Sequence, residues 1–123
     1  MANRNFHRVQ SLARESKVVY AKATVSSNVA TKVVNDSVGV ASVVISGTGV
    51  VTVTLDDKYN ALLFASVESV GSATVDNKFV ITSEDVNGVK TVVFQNVEGA
   101  AAAAIDDSTI LIKMELKNSS VAR

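Results

Sequence analysis

Few side chains in this 123-residue sequence could do chemistry together. The ones to weigh are a single histidine, His7, and two pairs of adjacent acids, Asp56-Asp57 and Asp106-Asp107. Lys58-Tyr59 follows the first pair, and a glycine-spaced triplet, Gly47-Thr48-Gly49, precedes it. His7 would need a second ligand to hold a metal or a nucleophile beside it to act as a base. Alone in a polar terminal stretch, it reads as a surface residue. A dinucleotide-binding GxG needs a third glycine and a following helix. Here position 52 is threonine and the following Val50 to Leu55 reads as strand, so the triplet is expected to be a turn between two strands.

The acid pairs offer oxygen ligands for a hard cation, but calcium takes six to eight such ligands, and neither pair has the spacing of an EF-hand loop. Neighbouring residues on a strand point to opposite faces, so two adjacent aspartates cannot act on one substrate unless a turn folds them together. Both pairs are therefore expected to cap turns through their side-chain oxygens, with Tyr59 closing the first bend through its ring or hydroxyl. No catalytic, cofactor-binding or metal-binding residue is assigned.

The elements around these residues are β. Valine, threonine and isoleucine dominate, and they fit a pleated surface better than a helix. Lys17 to Val25 alternates, with Val19, Ala21, Ala23 and Val25 on one face. Val50 to Leu55 puts Val51, Val53 and Leu55 inward, and Ser108 to Lys117 does the same with Ile110, Ile112, Met114 and Leu116. Val38 to Ile45 is apolar on both faces apart from Ser42, as a buried strand can be, and Leu62 to Ser69 resumes after the acid corner. Val86-Asn87-Gly88-Val89 predicts a two-residue type I′ hairpin, in which Asp85 faces Lys90, Ile81 faces Phe94 and Phe79 faces Asn96. Seven or eight short strands separated by turns predict an all-β, single-domain antiparallel β-sandwich, jelly-roll-like. Helix is confined to three short candidates: Phe6 to Glu15, the Asp57 to Ala61 turn, and Gly99 to Ile105 with its alanine run, the last read chiefly as a loop or single turn.

Twelve basic and twelve acidic residues cancel, which argues against a protein that coats nucleic acid. The balance hides a segregation. Residues 1 to 22 hold Arg4, Arg8, Arg14, Lys17 and Lys22 against Glu15 alone, a net of +4, and the remainder is left at −4. Residues 1–16 are accordingly read as a basic N-terminal arm and 17–123 as the sandwich. Aromatics are 5% of residues and are not interleaved with Lys or Arg as stacking platforms are. Cysteine is absent, so disulfides and thiolate metal sites are excluded. No apolar run reaches the length of a signal sequence core or a membrane span, and export is not expected. The sequons at Asn35 and Asn118 are then expected to stay unmodified.

The arm ending in VVYAKATV, the segment GTGVVTVTLDDKYNALLFASVES and the closing STILIKMELKNSSVAR resemble small, cysteine-free virion proteins of tailed bacteriophages, of the capsid decoration or cement type. The resemblance implies a non-enzymatic protein that assembles in the host cytoplasm, forms a homotrimer and braces the major capsid protein at the virion surface, often through an extended terminal arm. Arg4, Phe6, Arg8 and Arg14 are the residues expected to make that attachment, with arginines forming charge-assisted hydrogen bonds to an acidic partner. No cofactor, nucleic acid or membrane is implied. Two other functions share the same local physics. One is a tail, neck or fibre-base component; the other is a lectin-like sandwich, which needs aromatics exposed in loops, for which Tyr59 is the clear candidate.

Overall fold

A computed structural model describes residues 16–72, 75, 77–99 and 101–117. The expected helix at Phe6 to Glu15 and the whole of residues 1–15 lie outside these. Nine strands run β1 (Ser16–Ser26), β2 (Val29–Lys32), β3 (Val40–Ser46), β4 (Val50–Leu55), β5 (Ala61–Val70), β6 (Phe79–Asp85), β7 (Thr91–Glu98), β8 (Ala101–Ala102) and β9 (Ser108–Lys117). They form two antiparallel sheets, ordered β2-β1-β9-β5 and β3-β4-β7-β6, with β8 paired to the end of β7. The fold is an all-β sandwich.

Period-two patterning fixes which side of each strand is buried. Val19, Ala21, Ala23 and Val25 of β1 lie beside Met114, Ile112, Ile110 and the start of β9, so small residues on one strand neighbour large ones on the next. Val51, Val53 and Leu55 of β4 with Val92 and Phe94 of β7 form the opposing wall. Each fully buried aliphatic side chain contributes about 1.5–3 kcal/mol of hydrophobic transfer. Loop residues close the two ends of the core: Tyr59 and Val86 at one, Ile105 at the other.

Several local expectations are corrected. β3 is an edge strand rather than a central one, and its Val44 is exposed, as is Val38 before it. In place of a helical turn, the described part of the alanine run carries the short strand β8 at Ala101–Ala102, and 57–60 has no helical turn; the one helical turn among the described residues is 3-10, at Val34–Asp36. Asn87-Gly88 does not make the two-residue hairpin turn. The Asp85 carbonyl accepts from the amides of both Gly88 (3.4 Å) and Lys90 (2.8 Å), which widens the loop and leaves Lys90 as its positive-φ residue (+66°). Phe79 still faces Asn96 and Ile81 faces Phe94, but an extra residue at Thr82 shifts the register, so Asp85 faces Thr91. The tight turn with two left-handed residues is instead Ser27-Asn28 (φ +51° and +61°), joining β1 to β2. Gly47 and Gly49 both take positive φ in the β3–β4 turn, as expected.

The edges of both sheets are blunted. β2 is only four residues long, and β3, β5 and β6 each carry a register break, at Ala41, Leu63 and Thr82 respectively. A bulge twists an edge away from the flat geometry that another strand would need. At the β3 bulge the exposed carbonyls are also occupied: the Lys32 ammonium donates to Val40 O (3.1 Å) and Ala41 O (3.0 Å), tying the edge of one sheet to the edge of the other. Beside it, Tyr20 and Val38 exchange a pair of backbone hydrogen bonds. Replacing Lys32 by methionine keeps the aliphatic stem and removes the donors, so stability should fall by about 1–2 kcal/mol, charge-assisted bonds being the strong class. The check is urea unfolding, in which the midpoint should drop with the slope unchanged.

Candidate functional site

The two acid pairs are held apart. Asn60 donates its amide to Lys117 O (2.9 Å), which puts the Asp56-Asp57 corner at the end of β9, whereas Asp106-Asp107 stands at its beginning. Ten residues of strand separate them by roughly 30 Å. At the first corner the expected capping is absent: neither carboxylate accepts a hydrogen bond among the described residues, and both side chains are exposed. The bend is made by backbone instead, with Asp56 N–H donating to Gly39 O (3.0 Å) and Tyr59 N–H to Val86 O (2.9 Å). Tyr59 is buried, so it offers no ring to a ligand, and its hydroxyl finds no hydrogen-bond partner among the described residues.

At the opposite end Asp107 does cap a turn, though a distant one. Its Oδ1 accepts the amide of Ser27 (2.9 Å), fixing the left-handed β1–β2 turn against the start of β9. Three asparagines extend this contact into a network. Asn28 donates to Gly47 O (2.8 Å) and accepts from Ile105 N–H (3.2 Å), joining two turns to the β8–β9 segment. Asn77 accepts from Asp106 N–H (3.0 Å) and donates to Ser69 and Ser108. Asn96 is fully buried: its Oδ1 accepts from Lys78 N–H (2.7 Å) and its Nδ2 donates to Ala103 O (3.2 Å) and Ala104 O (3.1 Å). Its backbone N–H donates to Gly49 O (2.9 Å). A Cβ on Gly49 would run into the Ala103 carbonyl, so glycine is required there by space as well as by φ.

Two concave features accompany these groups. A cleft of about 630 Å³ at the Asn96 end is lined by Asp106, Asp107, Asn28 and Ser72 among others. Its amides are engaged within the protein, and among the described residues no three His, Cys, Asp or Glu side chains converge as metal ligands would. The second is a groove of about 520 Å³ on the outer face of the β2-β1-β9-β5 sheet. Tyr20 and Leu111 give it apolar floor, Lys113 and Glu68 give it charge, and Lys22 pairs with Asp36 across its rim at 3.5 Å. An exposed pair of this kind contributes little to stability. Both features suit surface contact, and among the described residues neither is lined by a histidine or cysteine.

Arg4, Phe6, Arg8, Arg14 and His7 lie outside the described residues, which begin at Ser16, paired with Lys117. The residues that sequence reasoning missed are Asn28, Asn77, Asn96 and Lys32, all of them structural. No family model matches the chain, and neither does any curated protein or solved structure.

Two substitutions test this account. Asn96→Ala strands the Lys78 amide and two carbonyls in a part-buried setting, and should cost about 1–3 kcal/mol in urea unfolding, since these groups regain only part of their solvation. A loss below about 1 kcal/mol would mean that the network does not hold this end together. Tyr59→Phe removes a hydroxyl that is buried without a partner, and should leave stability unchanged or raise it by up to about 1 kcal/mol.

Proposed function

We propose that the chain is a non-enzymatic structural protein of a tailed-bacteriophage virion, of the capsid decoration type, which binds and stabilises the major capsid shell as a homotrimer. The observation that carries the reading is the segregation of charge: a net +4 over residues 1 to 22, which includes Lys17 and Lys22 of β1, precedes a remainder at −4. In this reading residues 1–16 form an extended arm, and Arg4, Arg8 and Arg14 bond to carboxylates of the capsid while Phe6 anchors beside them. The body is a jelly-roll-like sandwich, in which the first and last strands lie side by side, as β1 and β9 do. Support also comes from the direction of its polar groups. The asparagine network joins segments of the chain to one another, which suits a rigid clamp. The lectin-like alternative loses its main support, because Tyr59 is buried.

The test is co-sedimentation with shells assembled from the major capsid protein of the same phage. Full-length protein should pellet with the shells at a fixed stoichiometry. Protein lacking residues 1–16 should melt as before and stay in the supernatant. Retained binding by the truncated form overturns the arm assignment, and failure of the full-length form to bind overturns the capsid reading in favour of a tail, neck or fibre-base position.

A further inference from the structure

Asn87-Gly88 does not make the tight turn that its residues suit, and the structure leaves the pair open to a different reaction. An asparagine side chain can be attacked by the backbone nitrogen of the next residue, which closes a succinimide ring. The bond from that nitrogen to Cγ forms, the Cγ–Nδ2 bond breaks, and the displaced proton leaves with Nδ2 as ammonia. Water then opens the ring at either carbonyl. The product is aspartate, or isoaspartate, in which the main chain runs through the former side chain. Nothing is oxidised or reduced. Glycine in the second position speeds ring closure, because it puts no Cβ beside the attacking nitrogen and adopts dihedral angles that other residues resist.

Among the described asparagines, Asn87 alone combines a free side-chain amide with a glycine next in the chain. The amides of Asn28, Asn77 and Asn96 are held by hydrogen bonds at the Asp107 end. Asn35 and Asn60 are followed by Asp36 and Ala61, each of which carries a Cβ. Asn87 is exposed in the turn at 86–89 and makes no hydrogen bond among the described residues. The attacking group, Gly88 N–H, is held only by a long bond to the Asp85 carbonyl (3.4 Å), whose better donor is Lys90 (2.8 Å).

The neighbours of the pair determine what the product would disturb. Val86, immediately before Asn87, is 2% exposed and closes one end of the core with Tyr59, whose N–H donates to the Val86 carbonyl (2.9 Å). Isoaspartate adds a carbon to the main chain between this plug and Gly88, so the turn no longer matches the span from Asp85 to Lys90. Either product also adds a negative charge near Glu84 and Asp85, but these side chains are exposed, and charge in that setting costs little.

We propose that Asn87-Gly88 is a site of spontaneous modification, which converts through a succinimide to isoaspartate, and that the conversion loosens the Tyr59–Val86 end of the sandwich. Incubation of the full-length chain in mildly alkaline buffer tests both statements, followed by digestion at mildly acidic pH and mass spectrometry with fragmentation that separates isoaspartate from aspartate. The peptide holding Asn87 should gain the mass difference between OH and NH2, mostly as isoaspartate, while those holding Asn28, Asn77 and Asn96 stay unchanged. Asn87→Gln, whose longer side chain closes a ring far more slowly, should abolish the conversion and keep the fold. The isoaspartate form, separated by its added charge, should unfold at lower urea than fresh protein, whereas freshly prepared Asn87→Asp, which adds the charge alone, should keep the wild-type midpoint. Conversion at Asn87 no faster than at the other described asparagines overturns the site. Conversion with an unchanged midpoint, or a midpoint that Asn87→Asp lowers equally, overturns the link to the Val86 plug.

Discussion

Asn96 stands where three chain segments must pass the end of the core, and one residue has to satisfy all of them, two through its side-chain amide and the third through its backbone N–H. The loop before β6, the segment between β8 and β9, and the β3–β4 turn each bring a backbone donor or acceptor to this position. A valine there would pack as well as its neighbours Val92 and Phe94 and would keep the backbone bond to Gly49, but it would leave the Lys78 amide and the Ala103 and Ala104 carbonyls without a partner in a part-buried setting. The amide is suited because it carries a donor pair and an acceptor in one plane. Once it is fixed, Gly49 has to be a glycine, and Ala103 has to approach it closely. From that geometry follows the position of Ile105, which seals the core beneath.

The opposite end is closed differently, by apolar plugs and backbone bonds. Tyr59 and Val86 meet through a main-chain hydrogen bond, and no side-chain amide joins them. The edges then have to be secured separately, because a sheet that is not closed into a barrel presents unpaired backbone on both sides. Lys32 does this at β3 with a charged donor aimed at two carbonyls. At β5 and β6 the bulges do it by geometry, turning Leu63 outward and breaking the Ile81 to Ser83 register. The same devices that hold the fold together leave its flat faces as the surfaces open to contact.

Much of this was legible in the sequence wherever a strand alternates. Residues 19 to 25, 51 to 55 and 110 to 116 show their buried side directly, and Asn96 falls on the inward phase of Val92 and Phe94, so a buried amide could have been read from the pattern alone. What the pattern does not carry is the insertion of single residues. A bulge leaves composition untouched yet changes every pairing beyond it, which is why Phe79 and Ile81 met their expected partners and Asp85 did not. Turn choice was also decided from afar. Asn87-Gly88 has the better local chemistry for a tight turn, but Ser27-Asn28 receives Asp107, Gly47 and Ile105 as partners, contacts that lie up to 80 residues away in sequence. The acid pairs misled for the same reason: Asp107 caps, but it caps another segment's turn.

A protein whose buried amides are all turned inward can act on other molecules only through what remains outside. Here that remainder is divided. One face sets Lys113 beside Tyr20 and Glu115 beside Phe64, the other runs Val44, Thr52, Val93 and Ser83 across its middle, and three of the five basic residues among 1–22 precede β1, whose first residue pairs with the last of β9. On the proposed reading attachment falls to the arginine-bearing segment, which binds through charge-assisted bonds that ions screen, while the core is held by excluded water and close packing, which is short-ranged and insensitive to salt. On that reading raising the salt should release the protein from its shell at concentrations that leave the sandwich folded, because the attachment is ionic while the core is not.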